Sequence, residues 1–322
     1  MEKRTLGNTG LRIAPWAFGG NVFGWTADEP TSFAILDAFT GAGFNLIDTA
    51  DTYSRWAPGN KGGESETIIG NWLKQRGNRD QVIIATKVGG DMGQGKKDLS
   101  ASYIRKAVED SLRRLQTDYI DLYQSHWDDL DTPVGETLDV YSELVREGKV
   151  RAIGASNLSP ERLEESLQYS QAHHLPLYQT LQPEYNLYNR KTYETKYEPI
   201  CQREGLGVLN YYALASGFLS GKYRSEADVN KSTRGGGVVK NYLNERGLRI
   251  LAALDEVAAQ YSTTPAAIAL AWLLARPSIT APIASATSTA QVEELAKAFQ
   301  VKLDAGAVEK LNTASAYWEG RD

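Results

Sequence analysis

Short apolar runs alternate along the chain with longer stretches whose apolar residues recur at intervals of three and four. The short runs read as strands at 15–19, 45–48, 82–87, 119–124, 150–155, 180–182, 207–211 and 279–283. Ahead of them, Leu6 and the run 11–13 flank Asn8-Thr9-Gly10, which predicts a hairpin. The longer stretches read as helices. In 31–42 the apolar positions are Phe33, Ile35, Leu36 and Phe39; in 64–74 they are Ile68, Ile69, Trp72 and Leu73. In 100–115 they are Ile104, Ala107, Val108, Leu112 and Leu115. Each set falls on one face of a helix. Stretches 132–146, 159–173, 193–203, 245–261 and 289–299 continue the series. Ser159-Pro160-Glu161 is a helix start: a capping hydroxyl, a proline in the first turn, and an acid at the positive end of the dipole.

Strands alternating with helices indicate parallel βαβ units. Eight such units without a break in composition predict closure into one (β/α)8 TIM barrel over residues 1–322. The N-terminal hairpin and two further helices, 265–275 and 305–314, are additions to it. A doubly wound sheet with a cap domain is the competing architecture. One connection is long: 216–244 follows the seventh strand and contains Gly217, Gly221 and the triplet Gly235-Gly236-Gly237. A loop of that length reads as a glycine-hinged lid over the active face, or else as a plain mobile insertion.

Composition narrows the function. The 322 residues suit a barrel of roughly 250 residues with insertions. A net charge of −5 argues against nucleic-acid and anionic-membrane partners. The start, Met1-Glu2-Lys3-Arg4-Thr5-Leu6, lacks the apolar stretch of a secretory signal. The apolar run 266–275 is half the ~20 residues that a membrane-spanning helix needs. With one cysteine, Cys201, no intrachain disulfide or cysteine-paired zinc site forms, and a cytoplasmic location is expected.

In a (β/α)8 barrel the active site gathers at the C-terminal strand ends. There the sequence places Asp48, Lys87, Ser125-His126, Ser156-Asn157, Gln182 with Glu184, Tyr211-Tyr212 and Ser285. Polar residues that merely end strands would explain Asn157 and Ser285. They do not explain Lys87, a cation inside the apolar run 82–88, where burial requires a partner. Asp48 follows Leu46-Ile47 in the neighbouring strand and supplies one. A purely structural ion pair remains the alternative. Of three histidines, His173 and His174 lie at a helix end, leaving His126 alone at the rim.

Tyr53 lies five residues beyond Asp48. A phenol with a pKa of about 10 is a weak donor at neutral pH. The expectation is that Lys87 lowers that value, that Asp48 keeps Lys87 charged and oriented, and that His126 orients a carbonyl oxygen beside the hydroxyl. Such a site protonates an oxygen as hydride reaches the carbon, and the hydride must come from a cofactor. No G-x-G-x-x-G follows a strand, and neither a Walker A sequence nor a G-x-S-x-G elbow occurs. A hydrolase reading predicts activity without nicotinamide and loss on chelation.

These residues resemble the aldo-keto reductase superfamily over nearly the full length of the chain. The matching segments are Asn45-Leu46-Ile47-Asp48-Thr49-Ala50 with Tyr53, Ala85-Thr86-Lys87, Gln124-Ser125-His126, 148–157 and 214–223. The resemblance implies a barrel that binds NADPH, less often NADH, without a Rossmann fold. It implies a catalytic tetrad of Asp48, Tyr53, Lys87 and His126, with Tyr53 as the acid. It assigns Ser156, Asn157 and Gln182 to the nicotinamide carboxamide and Tyr211 to stacking on the ring. Leu214, Ser216, Gly217 and Leu219 fall to the pyrophosphate, and Gln291 and Glu294 to adenosine. Some relatives act instead as redox-sensing subunits that bind cofactor and turn over slowly.

Two segments depart from the family pattern. Tyr211-Tyr212-Ala213 replaces a Tyr-Ser-Pro sequence, and Ser285-Ala286-Thr287-Ser288 carries no cation for a 2′-phosphate. Lys222 and Arg224 are the substitutes in the loop, and NADP(H) is expected ahead of NAD(H). Trp25, Trp56 and Trp127 follow the strand ends and suit an apolar pocket for a small carbonyl or alcohol substrate. Asp128 and Asp129 read as loop and capping residues before the helix that starts near Thr132-Pro133, or as ligands for sugar hydroxyls.

Overall fold

The computed structural model describes residues 2–232 and 235–317. Two short strands, β1 (Arg4–Thr5) and β2 (Arg12–Ile13), pair antiparallel as the predicted hairpin. Eight more follow: β3 (Ala17–Gly19), β4 (Leu46–Asp48), β5 (Ile83–Val88), β6 (Ile120–Ser125), β7 (Val150–Ser156), β8 (Tyr178–Gln182), β9 (Gly207–Val208) and β10 (Ile283–Ala284). They form one parallel sheet in the order β10-β3-β4-β5-β6-β7-β8-β9. Its two edges meet through backbone bonds. Thr280 N donates to Val208 O at 3.0 Å, and Ile283 N donates to Asn210 O at 2.9 Å. The sheet is thereby a closed (β/α)8 barrel.

Strand alternation sorts the side chains. Leu46, Ile83, Ala85, Leu122, Ala152 and Leu209 pack together inside the barrel, where Leu6 and Ile13 of the hairpin join them. Ile47, Ile84, Tyr123, Ile153, Leu181 and Val208 face outward into the helical layer. The hairpin is seated closely. A β-carbon on Gly7, whose φ is +52°, would meet Gln179 O at 2.2 Å and Gly207 N at 2.8 Å, so neither the conformation nor the space admits another residue. The Arg4 guanidinium donates to Leu274 O, Ile279 O and Thr280 O. Outside the barrel, Trp16 meets Phe39 and Phe44 edge-on with ring centroids 4.9 Å away, and it stacks on Phe299. Such pairs contribute about 0.5–1.5 kcal/mol each beyond the area they bury.

The outer ring contains α1 (Glu29–Gly41), α2 (Glu64–Arg76), α3 (Ala101–Leu115), α4 (Val134–Arg146), α5 (Pro160–His173) and α6 (Glu198–Glu204). A π-helical turn, Tyr193–Tyr197, leads into α6. Four further helices are α7 (Gly235–Tyr242), α8 (Glu245–Gln260), α9 (Pro265–Ala275) and α10 (Thr289–Ala298), and α11 (Ala305–Ala314) ends the series. Here the structure corrects one assignment. α9 packs against α10, which packs against α1, so α9 belongs to the ring. The additional helices are α8 and α11, which cover α9 from outside. That cover explains why α9 is apolar on every face, with Ala267 through Leu273 all buried.

The connection after β9 is not structureless. It folds into 3-10 turns at Ala215–Ser220 and Glu226–Lys231 and then into α7. Gly235 starts that helix because a β-carbon there would meet Val229 O at 1.8 Å, so close packing rather than hinging requires it. The seventh strand is also shorter than expected. Beyond Val208 the pairing continues through single backbone bonds, Leu209 N to Leu181 O at 3.0 Å and Tyr211 N to Pro183 O at 2.9 Å, and an isolated bridge between Tyr211 and Glu184. Among the described residues, no helix is long and apolar enough to cross a membrane.

Candidate active site

Asp48 and Lys87 are the last inward positions of β4 and β5, and both side chains are buried. Lys87 Nζ lies 2.7 Å from Asp48 Oδ2, and donates also to Thr49 O and to the Tyr53 hydroxyl, both at 2.8 Å. All three ammonium protons are thus engaged, which makes burial of the charge tolerable. The expected pairing across neighbouring strands is present. Asp48 Oδ1 accepts from Gln182 Nε2 at 2.8 Å and more weakly from Gln124 Nε2 at 3.4 Å. The Tyr53 hydroxyl donates toward Asp48 Oδ2 at 3.3 Å.

The barrel is shaped around this group. Lys87 is in register with Gln124, and Gln124 with Gly154. A β-carbon on Gly154 would meet Thr180 Oγ1 at 2.1 Å and Gln124 Cγ at 3.1 Å. Glycine in β7 therefore makes room first for the Thr180 hydroxyl and then for the Gln124 side chain, whose amide faces Asp48. Sequence reasoning gave Gln124 no role of its own. Its signal was inward parity with Leu122 on a strand adjoining Lys87. The Thr49 carbonyl and Thr52 were also missed, the latter with its hydroxyl 3.5 Å from His126 Nδ1.

The electrostatics differ from the expectation for Tyr53. Its pKa lies well above the ordinary value, first because the phenol is withdrawn from water and second because Asp48 opposes a phenolate. Lys87 does not reverse this in the site as it stands. Burial lowers the Lys87 pKa itself, against the opposing pull of Asp48. His126 is pushed well below its usual range by burial and then by the Lys87 charge, so its imidazole is neutral at physiological pH.

At the mouth, rings form a continuous series. Trp25 meets Trp56 edge-on at 5.6 Å, Trp56 meets Tyr53 at 6.0 Å, Tyr53 meets His126 at 5.9 Å, and His126 stacks on Trp127 at 5.5 Å. Trp56 and Trp127 remain exposed. Asp129 caps local turns, accepting from Leu99 N and Thr132 Oγ1, and Asp128 pairs with Arg162. Both acids are therefore engaged in the loop, as the simpler reading expected.

The residues assigned by resemblance to the cofactor divide into two sets. Ser156, Asn157, Gln182 and Tyr211 form one network beside the buried pair. Asn157 Nδ2 donates to His126 O at 2.9 Å, Tyr211 donates to Asn157 Oδ1 at 2.9 Å, and Ser156 donates to Gln182 O at 2.9 Å. Gln182 also donates to Asp48, which ties this network to the catalytic group. The second set lies further along the rim. Ser285 Oγ donates to Asn21 Oδ1 at 2.7 Å. Gln291 Oε1 accepts from Thr287 N at 2.8 Å, while Glu294 is exposed on α10. Leu214 precedes the turn that holds Ser216, Gly217 and Leu219. Backbone strain collects on this rim: φ is positive at Ser54, Asn157, Tyr212, Ala215 and Ser216. Such conformations cost of order 1–3 kcal/mol each and mark sites whose shape is imposed by the surroundings. A ring platform, amide and hydroxyl partners and a tightly turned strap together suit a flat amide-bearing ring joined to a polar chain.

Comparison with known proteins agrees with this geometry. The profile described as Aldo/keto reductase family matches residues 15–316. The chain is 36% identical over 320 residues to the uncharacterized oxidoreductase YrpG of Bacillus subtilis (strain 168), covering 97% of this chain and 95% of that protein. It is 35% identical over 312 residues to aldo-keto reductase YhdN of the same organism, covering 92% and 88%. Identity is 33% over 333 residues to the NADH-specific methylglyoxal reductase of Escherichia coli (strain K12), covering 94% and 95%.

Proposed function

The chain belongs to the aldo/keto reductase family of oxidoreductases, and from that premise we propose that it reduces an aldehyde, ketone or sugar carbonyl to the alcohol, with Tyr53 as general acid. The observation that carries this reading is Lys87 Nζ, whose protons are divided among Asp48, Thr49 O and the Tyr53 oxygen. When bound, a dihydronicotinamide would supply the hydride that the carbonyl carbon accepts. The carbonyl oxygen receives the Tyr53 proton, and the C=O π bond becomes the C–H and O–H bonds of the alcohol. The high pKa of the phenol keeps that proton in place until the oxygen becomes basic. As it leaves, the phenolate forms 2.8 Å from an ammonium already held in place, so little reorganisation is needed. Neutral His126 donates to the same carbonyl oxygen without competing for the proton.

In this reading Ser156, Asn157 and Gln182 would hold the carboxamide, Tyr211 would stack on the ring, and the strap at 214–219 would hold the pyrophosphate. Ser285, Gln291 and Glu294 face the adenosine, and Trp25, Trp56 and Trp127 wall the substrate pocket. NADPH is preferred over NADH. Arg224 is held in a two-pronged pair by Asp255, so it does not supply the cation that Ser285 to Ser288 lacks. Lys222 is the candidate that remains in this reading: its Nζ lies 3.3 Å from where a β-carbon on Gly217 would be, against the strap.

Tyr53→Phe should retain cofactor affinity and lose at least about a hundredfold in kcat, the low end for a general acid. Unchanged turnover would overturn the mechanism. Fluorescence titrations with NADPH and NADH test the cofactor. Wild type should bind NADPH more tightly and Lys222→Met should lose that advantage, whereas equal affinities in wild type would reject the preference.

A further inference from the structure

Asp51 lies two residues before Tyr53, in the turn that carries the phenol. Its N–H donates to Lys87 O at 3.2 Å, and Tyr53 N donates to Ala50 O at 3.2 Å. The residue is 2% exposed, and neither carboxyl oxygen has a hydrogen-bond partner among the described residues. No step of the proposed reduction uses it.

The cations around Asp51 are committed elsewhere. Lys87 divides its three protons among Asp48, Thr49 O and the Tyr53 oxygen. Arg114 of α3 donates through Nε to Glu66 Oε2 at 2.7 Å, and its Nη2 meets the same oxygen at 2.7 Å and Ser111 Oγ at 3.2 Å. Glu66 of α2 is itself buried, and its Oε1 accepts from Thr86 Oγ1 at 2.5 Å. Of the two neighbouring acids, Glu66 therefore has the donors that a charge needs, and an anion at Asp51 would be bare. Tyr103 of α3, Tyr123 of β6 and Tyr141 of α4 also lie within the field of Asp51, and each phenol keeps its proton at neutral pH. A buried carboxylate without donors is costly, and two carboxylates that share a site do not both ionise readily. Burial and then the Glu66 charge hold the Asp51 pKa well above the ordinary value, against the opposing pull of Arg114, the Thr52 backbone and Lys87.

We propose that Asp51 is a positioning residue, kept as the uncharged acid behind the catalytic group so that the Lys87 charge answers only to Asp48 and the Tyr53 oxygen. An anion at Asp51 would pull on Lys87 as Asp48 does, and would oppose the phenolate that forms when Tyr53 gives up its proton. Loss of the Asp51 proton at alkaline pH therefore slows reduction. This kinetic consequence rests on the reductase reading, whereas the protonation of Asp51 does not. Protonation also has a signature in stability. An aspartate whose folded pKa lies above the unfolded value of about 3.9 costs the fold stability progressively as the pH rises from that value toward the folded one.

Asp51→Asn in the full chain tests the proposal, because it copies the shape of the uncharged acid and cannot ionise. The infrared difference spectrum between wild type and variant at neutral pH should contain the C=O stretch of a protonated carboxyl, displaced in D2O. The urea midpoint of the variant should exceed that of wild type by a margin that widens between about pH 5 and about pH 8. With 4-nitrobenzaldehyde and NADPH, the alkaline fall in kcat should move upward by at least about one pH unit, a tenfold change in proton affinity. Ionised-carboxylate bands alone, a variant that misfolds or has a lower midpoint, or an alkaline limb that stays in place would each overturn the proposal. Should Tyr53→Phe turn over like wild type, the reductase reading would fall, and the infrared and urea results would still decide the charge on Asp51.

Discussion

Lys87 and Gly154 show how single residues on adjoining strands make one site. The ammonium needs three acceptors because no water reaches it, and the Thr180 hydroxyl and the Gln124 side chain need the space that a missing β-carbon on Gly154 leaves. Gly154→Ala should therefore destabilise the barrel by about 1–3 kcal/mol, as overpacking does, read as a lower urea midpoint. It should also lower kcat by displacing Gln124 from Asp48; full stability and activity would show that the centre can yield. His126 makes a prediction about acid. Its pKa in the folded protein lies below the unfolded value of about 6.5, so its contribution to stability is complete above that pH and is lost as the pH falls toward the folded value. The urea midpoint should drop on acidification below about pH 6.5, and His126→Gln should flatten that part of the curve.

At the scale of elements, the positions of strands were readable and loop structure was not. The run Ile83-Ile84-Ala85-Thr86-Lys87-Val88 holds a cation among apolar residues, and the cost of burying it unpaired predicted its partner in Asp48 of the neighbouring strand. Hydrophobic spacing located the ring helices within a few residues. It could not rank α8 against α9, because an all-apolar helix looks the same whether additional helices cover it or it is itself the addition. The helical turns within 215–242 were hidden for another reason. Gly235 has poor helical propensity and is retained only because Val229 O lies where its side chain would be, a contact that no local pattern reports. The Tyr53 pKa was misread similarly: one cation was counted, while withdrawal from water and Asp48 both oppose it. The hairpin carries this scale's prediction. Arg4→Ala removes charged donors to three carbonyls, one at the end of α9 and two in the segment that leads from it to β10. The loss should be about 1–2 kcal/mol, reduced from the range for charged hydrogen bonds by partial exposure, with an unchanged urea m-value.

For the whole molecule, the barrel joins distant parts of the chain. β10 pairs with β3, so residue 283 lies beside residue 17. α11 completes the cover of α9: Asn312 accepts from Trp272 Nε1 at 2.9 Å, and Arg190 donates to Asn312 O and Ser315 Oγ. A chain ending at residue 304 should lose this cover, bind hydrophobic dyes and aggregate, whereas a soluble, cooperatively unfolding product would show α11 to be dispensable. The same closure sets a clock on synthesis. Neither the ring nor the cover over α9 can form until nearly all of the polypeptide has left the ribosome, so apolar strands made early must wait for partners made last. During that interval the nascent chain depends on being shielded from its neighbours, and its yield in a cell should respond more to chaperone supply than the stability of the finished barrel would suggest.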